Sequence, residues 1–93
     1  MDTIVTDELI KATVEKIEND FSKLLYNHEI KTVIHYLNEG MSPGCIQYAC
    51  YLSWSNRYGN LDMRYAEHIL SHWLEKGFTT EEKARAYCES IKQ

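Results

Sequence analysis

The feature that most constrains this chain is the spacing of its apolar residues, which recur every three or four positions between short breaks. Such spacing places the apolar side chains of a segment on one face of a helix. No run of alternating apolar and polar residues is long enough for a strand. The breaks lie near Tyr26–Asn27, Gly40–Ser42, Arg57–Asn60 and Gly77–Thr79. The pattern predicts an all-α fold, a compact bundle of about five short helices.

Polar and glycine residues at the breaks predict where several helices begin and end. Thr6, followed by two acids, is a typical N-cap for helix one, whose apolar stripe continues to Leu24 and Leu25. Gly40 is suited to the left-handed conformation just after a helix. Ser42 before Pro43 is a cap followed by a first-position proline, which indicates a helix start.

The remaining starts and the position of helix three are predicted in the same way. Asn27 and Asn60 are predicted caps for helices two and four, and Thr79 forms a predicted capping box with Glu82 before the last helix. Helix three, from Ser42 to about Asn56, is apolar nearly all round. A helix of this kind is usually enclosed by its neighbours, so helix three is expected to be central.

The length and charge of the chain limit its function. Ninety-three residues fit one domain, with little interior for a deep catalytic cleft. The net charge is −4: residues 1–40 hold eight acids and four lysines, whereas residues 41–93 hold six acids and six bases. No strongly basic surface of the kind that nucleic-acid-binding proteins carry is therefore indicated. Any DNA contact is expected in the second half, and it should be weak and salt-sensitive.

The cysteines indicate in which cellular compartment the protein is found. Cys45, Cys50 and Cys88 cannot all pair within the chain, and their spacing matches neither a zinc knuckle nor a redox motif. Reduced, buried thiols are typical of the cytosol, so the protein is expected to be cytoplasmic. No apolar run is long enough to span a bilayer, and no membrane partner is expected.

One motif points to a family. Tyr65, Ile69, Trp73 and Phe78 read Y-x-x-x-I-x-x-x-W-x-x-x-x-F. This resembles the YxxxIxxxWxxxxI signature of the DnaD and DnaB-like replication-initiation domain, with phenylalanine in place of the usual last isoleucine. The resemblance covers roughly residues 15–88. Because the four residues share a helix face or follow its end, a mainly packing role is expected for them.

The resemblance implies a helical module of a bacterial or phage protein that binds DNA and contacts primosomal proteins or a helicase loader. Relatives usually add an N-terminal winged-helix domain and a basic C-terminal extension, and neither is recognised in residues 1–93. The chain is thus expected to be one DnaD-like domain, either excised or a minimal phage version. The alternative is a protein-interaction or oligomerisation module without DNA binding of its own.

Two sets of residues are candidates for these contacts. The bases of the second half are the predicted phosphate contacts: Arg57, Arg64, Lys76, Lys83, Arg85 and Lys92. Because acids are interleaved with them, a solvated mixed face is the alternative interpretation. The aromatic residues at and after helix three are a candidate partner interface or base-stacking surface: Tyr48, Tyr51, Trp54 and Tyr58. Burial in the core or in a subunit interface is the interpretation favoured for them.

Metal binding and catalysis have little support. His68 and His72 have the spacing of two zinc ligands on a helix, but no third ligand follows at an expected distance along the chain. No glycine-rich phosphate loop and no recognisable nucleophile motif are present. The sequence therefore predicts neither a metal, nor a cofactor, nor an enzyme.

Overall fold

The computed structural model describes residues 5–91, and in this range the chain forms five α-helices. They are α1 (Asp7–Phe21), α2 (Asn27–Asn38), α3 (Pro43–Asn56), α4 (Met63–Glu75) and α5 (Glu81–Ile91). No strand occurs among residues 5–91. The predicted all-α bundle of five helices is confirmed. Lys92, one of the predicted phosphate contacts, lies outside the described residues.

Two predicted helix starts are confirmed in atomic detail. The Thr6 hydroxyl accepts a hydrogen bond from the Leu9 amide at 3.1 Å, and the Ser42 hydroxyl accepts one from the Cys45 amide at 3.1 Å. Each satisfies an amide that the first turn of a helix leaves unpaired. Gly40 has a φ of +95°, a conformation that costs residues with a side chain more than it costs glycine.

The predicted end of helix one is wrong. The helix ends at Phe21 because Ser22 takes the left-handed conformation, with a φ of 51°, and its amide binds the Glu18 carbonyl. Leu24 and Leu25 therefore lie in the connecting segment, where Leu25 is buried and Leu24 is 80% exposed. The apolar pattern continues past the helix because one of these two leucines, Leu25, fills the core from the connecting segment.

Three predicted caps are displaced along the chain. Helix α2 begins at Asn27 itself, so its cap is the preceding residue, Tyr26. The Glu29 carboxylate accepts a hydrogen bond from the Tyr26 amide at 2.8 Å. Asp62, instead of Asn60, caps α4 by accepting from the amides of residues 64 and 65. Thr80, instead of Thr79, accepts from the amide of residue 83 at 3.3 Å. The Thr79 carbonyl accepts from the Ser42 amide, which joins the starts of α3 and α5.

Helix α3 lies at the centre of the bundle, as predicted. It packs against all four other helices. Five of its side chains are completely inaccessible to solvent: Cys45, Ile46, Ala49, Cys50 and Ser53. The outer part of α3 remains at the surface, where Tyr51 is 49% exposed and Trp54 is 37% exposed. The central helix thus supplies both the core and an exposed aromatic surface.

A buried serine determines how α3 leads into α4. The Ser53 hydroxyl is fully buried, donates to the Asp62 carbonyl at 2.8 Å and accepts from the Asp62 amide at 3.0 Å. Both backbone groups of the α4 cap are satisfied by one side chain of α3. This pair of bonds holds the turn of residues 57–62 against the bundle and so positions the side chains that the turn carries.

Candidate functional site

A cleft of about 920 Å³ opens beside the turn between α3 and α4, and we call it the turn cleft. Its walls come from the segment after α1, the first turns of α2, and the residues from Asn56 to Glu67. Three cations line it, namely Lys23, Arg57 and Arg64. The cleft therefore brings together two of the predicted phosphate contacts and a lysine from the acidic first half of the chain.

Carboxylates balance these cations. Lys23 Nζ lies 2.9 Å from Glu29 Oε2 and donates to the Leu61 carbonyl at 3.2 Å, and Arg57 lies 3.5 Å from Asp62. Among residues 5–91, Arg64 makes no ion pair. Glu67 also lines the cleft, so the formal charges of its lining residues sum to zero. Arg64 can meet a phosphate directly, whereas Lys23 and Arg57 would first have to leave Glu29 and Asp62.

Two tyrosines of the turn cleft are largely exposed. Tyr58 is 99% exposed and Tyr26 is 66% exposed. The Tyr26 ring stacks on His28 with centroids 5.9 Å apart, and the Lys23 ammonium lies 6.0 Å from the Tyr26 centroid. Planar rings held beside cations offer a surface on which unpaired bases stack. The sequence pattern grouped Tyr58 with the aromatic residues of helix three, whereas its position in the turn places it here.

Tyr26, His28 and Lys23 were not predicted as site residues. They precede Arg57 by about thirty positions, and only the packing of α2 against α3 and α4 brings them to the same cleft. The one available signal was the predicted helix break at Tyr26–Asn27. That signal indicates exposure, because breaks lie at the surface, but it does not identify the neighbours.

The remaining predicted cations lie elsewhere. Lys76 follows the end of α4, and Lys83 is exposed on α5. The Arg85 side chain is engaged, since its Nε lies 2.6 Å from Glu81 Oε2 and its guanidinium carbon lies 4.3 Å from the centre of the Tyr48 ring. These bases do not line the turn cleft. The five predicted phosphate contacts within residues 5–91 therefore do not form one surface.

A second feature is a row of neighbouring aromatic rings, which we call the aromatic strip, formed by Phe21, Tyr48, Tyr51 and Trp54. Neighbouring ring centroids are 6.1–6.3 Å apart along the strip. The strip faces a shallow groove of about 420 Å³, bordered by α1 and α5. Tyr48 is buried and stacks on Trp73 at 5.8 Å, which anchors the strip in the core.

Comparison with known proteins places this fold in a family. A family model described as replication initiation and membrane attachment, DnaB_2, matches residues 14–88. The chain belongs to this family. The match agrees with the resemblance carried by the tyrosine, isoleucine and tryptophan of α4, and it indicates a role in replication initiation. No curated protein and no solved structure matches the chain. Within residues 5–91 no helix combines the length and apolarity needed to cross a membrane.

The motif residues of this DnaB_2 domain differ in their surroundings. Trp73 is 2% exposed and belongs to the core, against which Ile69 and Phe78 pack while half-buried. Tyr65 lies at the surface, and the Arg57 guanidinium carbon is 5.9 Å from its ring centre. Three of the four motif residues thus pack in or against the core, whereas Tyr65 extends the surface beside the turn cleft.

The two histidines of α4 in this DnaB_2 domain, His68 and His72, were considered as a metal-binding pair because of their spacing. His72 Nε2 lies 3.1 Å from the Tyr87 hydroxyl, and the two rings are tilted with centroids 5.9 Å apart. In the part of the chain that the structure describes, no group of three or more histidine, cysteine or acidic side chains could hold a metal ion. Residues 68 and 72 are both exposed on α4, so their spacing is that of a solvated helix face.

Proposed function

We propose that this domain binds DNA weakly through the turn cleft and so positions a replication-initiation protein on the nucleic acid. The observation that carries the proposal is the presence, in one cleft, of Lys23, Arg57 and Arg64 beside two largely exposed tyrosines. Membership of a replication-initiation family supports it. A module of this kind performs no covalent chemistry, and we propose no catalytic activity for it.

The chemistry of the cleft suits an unpaired strand. Cations contact phosphates without reading the sequence, and tyrosine rings stack on any base. The three carboxylates in the same cleft oppose the phosphates, which lowers affinity. Binding is sensitive to salt because each contact between a cation and a phosphate releases counterions. We expect a dissociation constant in the range of about 10⁻⁴–10⁻⁶ M, typical of non-specific binding at physiological salt.

The site can be tested residue by residue. Backbone amide shifts of the isotope-labelled domain are followed while a short single-stranded oligonucleotide is added. We expect the largest shifts at residues 23–28 and 56–67, and we expect Arg64→Glu to weaken binding. Lys11→Glu is the matched control, because Lys11 is exposed on α1 and lines neither the turn cleft nor the groove of the aromatic strip. Equal weakening by both variants, or shifts confined to other surfaces, would refute the assignment.

A second candidate function is protein interaction through the aromatic strip. Tyr51 and Trp54 are 49% and 37% exposed, and aromatic residues are enriched in protein interfaces. The flanking charges cancel, because two bases, one on α1 and one on α5, face the same groove as two acids of these helices. A neutral aromatic surface favours a protein over DNA, and we propose a primosomal protein, a helicase loader or another copy of the chain as its partner.

The three buried, unpaired cysteines support a reducing, cytoplasmic setting.

A further inference from the structure

The first four helices end in the same way. Just after each of them a residue takes a positive φ, and the amide that follows this residue binds a carbonyl five positions back. The four residues with the positive φ are Ser22, Gly40, Tyr58 and Gly77, with values of 51°, 95°, 56° and 80°. Two of them are glycine, which suits this conformation, and serine is small. Tyr58 is the one large side chain among the four.

The backbone of Tyr58 is strained, and packing of its side chain does not offset that strain. In the left-handed conformation the Cβ atom lies close to the following carbonyl oxygen, so a bulky residue there is unfavourable. The Tyr58 side chain is 99% exposed and so contributes almost nothing to the core. Strain of this kind is concentrated at functional sites. The position of Tyr58 therefore points to a ligand outside the fold.

The turn holds the backbone of Tyr58 in place. The amides of residues 59 and 60 donate to the carbonyls of residues 54 and 57 at 2.9 and 3.2 Å. The Ser53 hydroxyl binds both backbone groups of Asp62 and so fixes the end of the turn to α3. A tyrosine on a fixed backbone loses little conformational freedom when it binds a partner, because its side chain has few rotatable bonds. The ring is therefore preorganised for contact.

We propose that Tyr58 makes the turn cleft prefer single-stranded to double-stranded DNA. The proposal rests on the DNA binding proposed for the turn cleft and adds the residue that sets the strand preference. An unpaired base exposes a face on which the Tyr58 ring stacks, whereas the bases of a duplex cover one another. Arg57 and Arg64 line the same cleft and can contact phosphates beside that base. Because a duplex carries more charge per length than a single strand, these cations alone would not favour a single strand.

Tyr26 is the other exposed tyrosine of the turn cleft, and its surroundings suit this role less well. Its ring stacks on His28, so one of its faces is covered, and it is 66% exposed. The nearly complete exposure of Tyr58 leaves both faces of its ring open. A base can therefore stack on Tyr58 without displacing another side chain.

Two glycine substitutions at equivalent positions test the proposal. Tyr58→Gly removes the ring and relieves the strain. Ser22→Gly relieves strain at the corresponding position after α1, which does not line the turn cleft, and is the matched control. Tyr58→Phe keeps both the ring and the strained backbone. Fluorescence anisotropy at low salt measures the dissociation constants for a single-stranded oligonucleotide and for a duplex of the same length. Circular dichroism melts measure the stability of each variant.

We expect Tyr58→Gly to weaken single-strand binding roughly tenfold, to leave duplex binding unchanged and to melt no lower than the wild type. Tyr58→Phe and Ser22→Gly should bind both DNAs as the wild type does. A Tyr58→Gly variant that keeps its single-strand binding, weakens equally toward both DNAs or melts at a lower temperature would overturn the proposal.

The underlying DNA-binding function fails in a different way. If Arg64→Glu weakens single-strand binding and Tyr58→Gly does not, the turn cleft remains the DNA site and only the role of Tyr58 is refuted. A wild type that binds neither DNA at the lowest salt overturns both proposals.

Discussion

Removing the Trp73 side chain is the most informative perturbation of the core. Trp73 is 2% exposed, and its ring stacks on Tyr48 at a centroid distance of 5.8 Å with the planes 15° apart. A buried tryptophan removes roughly 150–250 Å² from water, worth about 4–6 kcal/mol at about 25 cal/mol per Å². Since alanine keeps part of this burial and the cavity collapses only partly, Trp73→Ala should cost about 3–5 kcal/mol.

The measurement is a urea unfolding curve followed by circular dichroism. A small domain has a total stability of about 5–15 kcal/mol, so the variant should be marginal or unfolded. Trp54→Ala is the matched control, because it deletes the same side chain where it is 37% exposed. That control should cost less, about 2–3 kcal/mol, because about two thirds of the Trp54 side chain is removed from water instead of nearly all of it. Equal costs for the two variants, or a Trp73 variant as stable as the wild type, would refute the assignment of Trp73 to the core.

Two further predictions concern buried polar groups. Ser53→Ala removes both hydrogen bonds to the Asp62 backbone, so it should lower the unfolding free energy by about 1–3 kcal/mol in urea melts. It should also weaken DNA binding, because it loosens the turn. An unchanged stability would contradict this prediction. Burial raises the pKa of Cys45 and Cys50 from 9.0 to about 12. The folded state holds these thiols neutral. Their contribution to the free energy of unfolding should therefore be complete below about pH 9, and it should fall progressively as the pH rises toward 12. Melts of Cys50→Ala over this range should show a smaller decline in stability than melts of the wild type, and equal declines would count against this cause.

The parts of the fold that could be predicted from the sequence depend on local interactions. The caps at Thr6 and Ser42 bind amides three residues away, and Gly40 needs only its own backbone freedom. Such interactions involve a few neighbouring residues, so they can be predicted without knowledge of the fold. The central position of α3 followed from its apolar circumference, because a helix without a polar face has to be enclosed. The shared helix face of the motif residues placed Trp73 in the core in the same way.

The parts that could not be predicted depend on tertiary contacts. Asp62 replaces Asn60 as a cap because Ser53, nine residues earlier, binds its backbone. Leu25 continues the apolar pattern from a segment that is no longer helical. The turn cleft combines Lys23 with Arg64, which are distant along the chain and meet only when α2 packs on α4. Spacing along one helix cannot reveal a site built from three segments.

The most direct test of the central claim is the salt dependence of binding to a fluorescent single-stranded oligonucleotide. Anisotropy titrations at several low salt concentrations give the slope of log K against log salt. For a single strand, the slope should change by about 0.7 for each phosphate that a substitution leaves without its cation. We predict measurable binding by the wild type at low salt, and a shallower slope for Arg57→Gln/Arg64→Gln but not for Lys11→Gln. No binding at the lowest salt, or the same slope for all three proteins, would contradict the claim that the turn cleft binds DNA.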